Sequence, residues 1–125
     1  MRSKLAAILA LSAAILLSGC GSAVEKAAAA VTGGDPLRGA AAIRRYGCGA
    51  CHTIPGVSGA HGMVGPNLGG FASRMYIGGV IQNRPEHLVR WIQDPKGIDE
   101  KTAMPNLGIG APDATDIAAY LYSLR

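Results

Sequence analysis

The sequence predicts an all-α domain of three to five helices around one covalently attached group. Three observations favour this fold class. The motif Cys48-Gly49-Ala50-Cys51-His52 is an attachment site, three amphipathic segments carry helix start and stop signals, and no convincing strand pattern occurs in the 125 residues. The chain also has only one Phe and one Trp. A large flat apolar group would supply mass that so small a core lacks.

The motif C-x-x-C-H is typical of covalent haem c attachment. The thiols of Cys48 and Cys51 add to two vinyl groups at one porphyrin edge, which requires a short loop between them, and His52 then lies under the ring. A redox dithiol would need a β-α-β context, and a zinc site would need a second ligand pair. Neither context is visible, since only His61 and His87 remain and they are not paired in sequence.

The N-terminus predicts export. Residues 1–19 have the basic start and short apolar run of a signal peptide. Cys20 follows Leu-Ser-Gly, which resembles the bacterial lipobox, so Cys20 is expected to be lipidated. An ordinary signal peptide with an accidental cysteine and an uncleaved anchor are the alternatives. Cleavage before Cys20 would place the chain on the periplasmic side of a membrane, inner or outer.

Residues 20–34 predict the lipidated cysteine and a flexible tether, because the segment is small, alanine-rich and without pattern. The run Ala27–Ala30 offers an alternative, a helical turn or two that would stiffen the tether. The folded domain is then expected to occupy residues 35–125.

The first helix of that domain is predicted from Asp35-Pro36, as N-cap and first helical residue, to Tyr46 before Gly47. Its inner side is marked by apolar residues, namely Leu37, Ala40, Ala41 and Ile43. Gly39 lies mid-helix, where glycine costs about 1 kcal/mol relative to alanine. Another backbone or a ring is therefore expected to pack against it.

Two further helices are predicted. One is capped by Asn83, carries Pro85 in its first turn, and presents a stripe of three apolar residues, Leu88, Trp91 and Ile92. The last starts near Pro112 and presents Ile117, Tyr120, Leu121 and Leu124 on one face. Between the first and second helices, residues 53–70 predict a long irregular loop that a bound group could order.

The charge of the chain gives no case for nucleic acid binding. The formal net charge is +4, and removal of Arg2 and Lys4 with the signal peptide leaves +2. Two haem propionates would bring the mature protein close to neutral. No cluster of Lys and Arg with interleaved aromatic residues occurs.

These residues together resemble a class I (monohaem) cytochrome c over about Asp35 to Leu124. The run from Gly65 onward is similar to the cytochrome c domain fused to subunit II of some haem–copper oxidases, in the pieces GPNLGGFASRMYIGG, PEHLVRWIQDP and TAMPNLG. Here the domain is expected to stand alone as a lipoprotein.

The resemblance implies a cytochrome c fold with one covalent haem c and its iron. It implies His52 and Met104 as axial ligands, and the carbonyl of Pro66 as acceptor for the His52 Nδ1–H. Further pocket or propionate positions are implied for Arg74, Tyr76 and Trp91. Gly39 matches a glycine at which the first and last helices cross, with an aromatic such as Tyr120 nearby.

Five residues could complete the iron's coordination, namely Met104, Met63, Met75, His61 and His87. Met104 is favoured because it lies in an irregular segment between two helices, where a thioether can reach the iron. His61 and Met63 lie in the same loop as His52, and reaching the opposite face of a haem from there is difficult.

The function that the resemblance implies is single-electron transfer in a respiratory chain by a carrier that is not itself an enzyme. The implied partners are a haem–copper terminal oxidase as acceptor and a cytochrome bc complex as donor, with the membrane reached through the lipid. An electron-transfer subunit of a periplasmic dehydrogenase or reductase is an alternative. A haem-based sensor or peroxidase with a displaceable distal ligand is another, from a different class.

Overall fold

A computed structural model describes residues 23–125. The predicted signal peptide and Cys20 lie outside the described residues. The described helices are α1 over residues 23–32, α2 Pro36–Arg45, α3 Pro85–Gln93, α4 Pro95–Ile98 and α5 Ala111–Ser123. Two short 3-10 turns cover Cys48–Ala50 and Phe71–Ser73, and two short strands are β1 Tyr76–Ile77 and β2 Ile81–Gln82. The predicted all-α class is confirmed.

Helix α2 forms where its caps predict. The Asp35 carboxylate accepts hydrogen bonds from the backbone N–H groups of Leu37 and Arg38 at 2.8 and 3.2 Å. Pro36 occupies the first helical position, where its missing N–H has no intrahelical partner to lose. The helix ends at Arg45, and Gly47 follows with a φ of 71°, a left-handed conformation that glycine adopts without strain.

The buried face of α2 differs from the expected one. Ala42 and Ile43 are buried together with Gly39, whereas Leu37 is 71% exposed and Ala41 is also exposed. The prediction of Leu37 and Ala41 as inner residues was wrong. The apolar pattern alone does not show that α2 approaches α5 most closely at Gly39. Because of this approach, the side of α2 that carries Gly39 faces inward.

Helices α2 and α5 cross at Gly39, as expected. A Cβ atom at this position would lie 2.7 Å from the carbonyl carbon of Asp116 and 3.0 Å from the Cβ of Tyr120. Only a residue without a side chain allows the two backbones to approach this closely. The crossing therefore depends on the glycine that a helix interior would otherwise disfavour.

An ion pair between Arg38 and Asp116 also stabilises the crossing of α2 and α5. Asp116 is 7% exposed, and its carboxylate accepts from Arg38 Nε at 2.7 Å, from a second guanidinium nitrogen at 3.0 Å, and from the Asp35 backbone N–H at 2.7 Å. The hydrogen bond from Arg38 is the largest cause that lowers the pKa of Asp116, against an opposing effect of burial. Nothing in the sequence near Asp116 indicates this pairing, since the residue lies beyond the first turn of α5.

Asp116→Asn is expected to lower the free energy of unfolding by about 2 kcal/mol at neutral pH, the scale for hydrogen bonds to a charged group. Because the folded pKa is depressed, the carboxylate stabilises the fold above about pH 4 and loses that contribution as the pH falls through its folded pKa. Denaturant unfolding between neutral and acid pH should show a shallower acid loss in the variant. Glu100→Gln, at an exposed position, is the control. Equal unfolding curves for Asp116→Asn and wild type would refute the assignment.

Helix α3 buries the predicted stripe of Leu88, Trp91 and Ile92. Asn83 does not cap this helix, since Arg84 occupies the N-cap position without a side-chain bond. Asn83 instead donates to the carbonyls of Phe71 and Arg74, both at 3.1 Å, and accepts from the Tyr122 hydroxyl at 2.9 Å. These longer-range partners outcompete the local cap and tie the segment before α3 to α5.

The strands β1 and β2 were not predicted. They pair antiparallel with Ile77 opposite Ile81, around Gly78 and Gly79 with φ values of 57° and 76°. Two residues per strand are too few to show an alternating pattern. The Gly-Gly pair is a known hairpin signal and could have indicated the turn.

Residues 23–32 form helix α1, so the helical alternative for the alanine run is the conformation found. The flexible form of the tether does not hold for these residues. Ala28 is only 3% exposed, and a Cβ at Gly34 would meet the backbone of Thr115 in α5. Packing against the domain gives this segment a reason to be helical that its composition alone does not provide. Its role as a link to an anchor stays a prediction.

None of the helices described for residues 23–125 is both long and apolar enough to cross a membrane.

Candidate functional site

One cavity of about 600 Å³ opens into the core of the described domain, within the size range of small-molecule and cofactor sites. Its walls are mainly apolar side chains from α2, α3 and α5, including Ile43, Leu88 and Leu121. All eight residues that the sequence assigned to the cofactor line it, namely Cys48, Cys51, His52, Pro66, Arg74, Tyr76, Trp91 and Met104. The fold thus brings together residues that are more than fifty positions apart.

The attachment loop is shaped by its backbone. Gly47 turns the chain out of α2, a 3-10 turn covers Cys48–Ala50, and the N–H of His52 donates to the Cys48 carbonyl at 3.0 Å. Gly49 lies directly against Ala60, whose Cα would be 2.7 Å from a Cβ at that position. The tight turn presents both thiols and the imidazole to the cavity.

The imidazole of His52 is held by a second loop. Its Nδ1 lies 2.8 Å from the carbonyl oxygen of Pro66. Because a carbonyl can only accept, Nδ1 carries the proton and Nε2 keeps its lone pair for a metal. Gly65 packs on the ring, and a Cβ there would lie 2.7 Å from Nδ1. Both contacts fix the orientation of the imidazole.

Among the five candidates for the opposite ligand, only Met104 lines the cavity. Met63 and Met75 are 91% and 78% exposed. His61 is exposed, and His87 has its Nδ1 2.9 Å from the Gln82 carbonyl. Met104 is partly buried, and its N–H donates to the Thr102 hydroxyl at 3.2 Å. Placement therefore favours the thioether of Met104.

The three expected pocket residues have distinct surroundings. Arg74 donates to the Asn67 carbonyl, and its guanidinium lies 5.5 Å from the centre of the Phe71 ring. It therefore braces the loop that carries Pro66, in addition to lining the cavity. Trp91 is buried beneath Gly78, where a Cβ would lie 2.6 Å from the indole ring. Tyr76 is 54% exposed at the cavity edge.

Two hydroxyl contacts that the sequence did not reveal bind α5 to its neighbours, one to the loop that follows the attachment motif and one to the end of α2. Tyr120 donates to the Pro55 carbonyl at 2.6 Å, and Tyr46 donates to the Asp113 carboxylate at 2.7 Å. The bond from Tyr46 is the largest cause that lowers the pKa of Asp113, followed by that from Arg45. The resemblance implied an aromatic residue such as Tyr120 near Gly39, but nothing in the sequence indicated that its hydroxyl would bond the Pro55 carbonyl.

The two alternatives to haem attachment find little support in the described residues. Cys48 and Cys51 form no disulfide, and burial raises the pKa of the Cys48 thiol, whereas redox-active C-x-x-C thiols have a lowered pKa. Within residues 23–125, no three His, Cys, Asp or Glu side chains lie close enough to hold a metal ion together. A zinc site would need such a group.

The donor set fits haem c. Two thiols and an oriented imidazole lie on one side of an apolar cavity, and a thioether from a separate segment lines the same cavity. Haem c, when bound, supplies a one-electron iron couple whose potential the axial ligands and the apolar surroundings tune. The chain itself attaches the group, orients His52 and keeps water out through its apolar walls.

The family model described as cytochrome c matches residues 37–125. Comparisons with curated proteins and with solved structures found no match. The matched range begins in α2 and includes the attachment motif, every residue assigned to the cavity, and α5. With the cavity and its donors, this match shows that the chain belongs to the cytochrome c family, whose members carry covalent haem c and transfer electrons.

Proposed function

We propose that the protein is a membrane-tethered, extracytoplasmic carrier of single electrons in a respiratory chain, with iron held between His52 and Met104. One observation carries the proposal. Met104 is the only candidate for the second ligand that shares the cavity with His52, whose Nε2 is left unprotonated by the bond to Pro66. A His/Met pair gives a higher reduction potential than a His/His pair, which suits a carrier.

Two ligands from the protein leave no coordination position for a substrate. A carrier requires only that an electron enter and leave through the edge of the group, while a peroxidase or sensor requires an open or displaceable position. The segment around Met104 supports a fixed ligand, because its backbone is bonded to Thr102 and the side chain is partly buried. These contacts favour the carrier over the sensor or peroxidase.

The anchor in this proposal is a lipid on Cys20, and its support is the lipobox-like sequence. Helix α1 is described from residue 23, so at most about 10 Å of extended chain separates it from Cys20. Because Ala28 is buried and Gly34 packs on α5, a lipid there would hold the haem domain close to the membrane surface. Partners within that membrane would then be reached by lateral diffusion.

The proposed acceptor is a haem–copper terminal oxidase and the proposed donor is a cytochrome bc complex. Both are supported by the resemblance of residues from Gly65 onward to the domain fused to oxidase subunit II. Neither partner is needed for the carrier chemistry itself, so the assignment is tested separately from the ligands.

Affinity purification of the full chain from native membranes is the test. We expect the protein in the membrane fraction, a haem–copper oxidase among the co-purifying proteins, and loss of Cys20→Ser protein from the membranes. A molybdenum enzyme or quinoprotein in place of the oxidase would favour the dehydrogenase subunit. A ferric spectrum that is high-spin, or that changes at once with cyanide, would refute the carrier.

A further inference from the structure

We propose that Met63, Val64 and Leu107 form an uncharged docking face for a redox partner protein whose own contact surface is apolar. This inference rests on the proposed carrier function and adds the chemistry of the partner. Throughout, these three residues are called the docking face.

The docking face lies at the opening of the cavity. Val64 and Leu107 both line the cavity, yet they are 79% and 40% exposed to solvent. Residues with both properties border the opening. Val64 belongs to the segment that packs against the attachment loop, and Leu107 belongs to the segment of Met104. Met63 adjoins Val64 and is 91% exposed.

The exposure of Met63 and Val64 is enforced by the backbone on both sides. The Gly62 N–H donates to the Gly49 carbonyl at 3.0 Å, and the Gly65 N–H donates to the Cys51 carbonyl at 2.8 Å. A Cβ at Gly62 would also collide with the Ala50 backbone. Two large apolar side chains are thus presented to solvent by a pinned segment, and apolar patches of this kind mark interaction sites.

The two chain segments that carry the docking face contain no charged residue. No Asp, Glu, Lys or Arg occurs from Tyr46 to Ser73, or from Thr102 to Pro112. These two segments supply the attachment loop, the Pro66 loop and the Met104 loop. Of the four charged residues that directly flank these segments, Arg45 and Asp113 are paired at 2.8 Å, Arg74 is bonded to the Asn67 carbonyl, and Lys101 is an exposed cation.

This charge distribution selects the occupant. A strongly acidic or basic partner surface would lose hydration on contact and find no opposite charge within either segment, which is unfavourable. An apolar, uncharged partner surface would lose nothing comparable and would gain from apolar burial. Association should therefore depend little on ionic strength, unlike the steered association of oppositely charged redox proteins.

The test compares Met63→Glu with Leu37→Glu in the full-length holo-protein. Leu37 is a matched control because it is 71% exposed and does not line the cavity. The cyanide-sensitive oxidation of each reduced protein by detergent-solubilised native membranes is measured in KCl from about 10 mM to about 300 mM, a range over which screening changes strongly. Sedimentation velocity of each holo-protein is measured with and without the solubilised membranes. It is detected through the haem absorbance and reports binding.

Wild type and Leu37→Glu should be oxidised at rates that differ by less than about twofold across the salt range. Met63→Glu should be oxidised at least about tenfold more slowly and should sediment less with the membrane proteins, because its carboxylate would be desolvated without a partner. An unchanged ferric spectrum in Met63→Glu would show that the haem ligation is intact.

Three results would overturn the inference alone. The first is equal oxidation rates for the two Glu variants, and the second is a loss of about tenfold in the wild-type rate with added salt. The third is a wild-type dimer that Met63→Glu abolishes, which would mean that a second copy of the chain occupies the docking face. Failure of the solubilised native membranes to oxidise even the wild type would overturn the proposed carrier function, and the inference with it.

Discussion

Met104→Leu is expected to abolish the low-spin, sulfur-ligated spectrum of the ferric protein. Leucine has a similar volume but no donor atom, so the cavity wall should remain filled while the second ligand is lost. The reduction potential should fall by more than about 60 mV, the shift that corresponds to a tenfold change in a one-electron equilibrium. Absorption spectroscopy and a redox titration of the holo-protein measure both effects.

Met63→Leu and Met75→Leu are the matched controls, because they make the same chemical change at exposed positions that do not line the cavity. Both should keep the spectrum and potential of the wild type. If Met104→Leu retained sulfur ligation, another methionine would be the ligand. A low-spin spectrum of nitrogen type in Met104→Leu, beside a sulfur-ligated spectrum in the wild type, would mean that a histidine has replaced the lost thioether. The same nitrogen-type spectrum in both proteins would mean that a histidine is the native ligand, which would contradict the assignment to Met104.

The attachment site could be predicted from sequence because its chemistry is local. Cys48, Cys51 and His52 must be adjacent in the chain to reach one porphyrin edge and its iron, so their spacing carries the information. Met104 lies far along the chain, and its spacing alone left four other candidates. The cavity separates them, because exposure excludes Met63 and Met75 from its walls.

Long-range polar contacts were less predictable. Asp116 lies beyond the first turn of α5, and nothing in its neighbourhood indicated a buried pairing with Arg38 across the crossing. Asn83 satisfied a local rule about helix caps, but its side chain bonds Tyr122 and two carbonyls instead. In both cases a partner distant in sequence decides the role, and a pattern read within one helix does not contain it.

The segment before α2 illustrates the same limit. Alanine-rich sequence is compatible with both coil and helix, because a short isolated helix is only marginally stable in water. Burial of Ala28 and the close packing of Gly34 on Thr115 supply the tertiary contacts that decide the conformation. Composition could therefore indicate the two alternatives but not choose between them.

Gly39→Ala is expected to destabilise the holo-protein, although alanine is the better helix former by about 1 kcal/mol. Its methyl group would enter the space held by the Asp116 carbonyl and would press on the Cβ of Tyr120. Separation of the helices would strain the bonds between Arg38 and Asp116 as well. Overpacking of this kind costs about 1–3 kcal/mol. The net loss should be measurable as a lower midpoint of guanidinium unfolding.

The reverse substitution on the same helix is the control. Ala41 is exposed, so Ala41→Gly should lose only the helix propensity, about 1 kcal/mol. Both substitutions should therefore lower the free energy of unfolding. Only Gly39→Ala would do so although the new residue has the higher helix propensity. A Gly39→Ala protein more stable than wild type would mean that the helices can separate without loss, and the close crossing would then not be what holds α2 against α5.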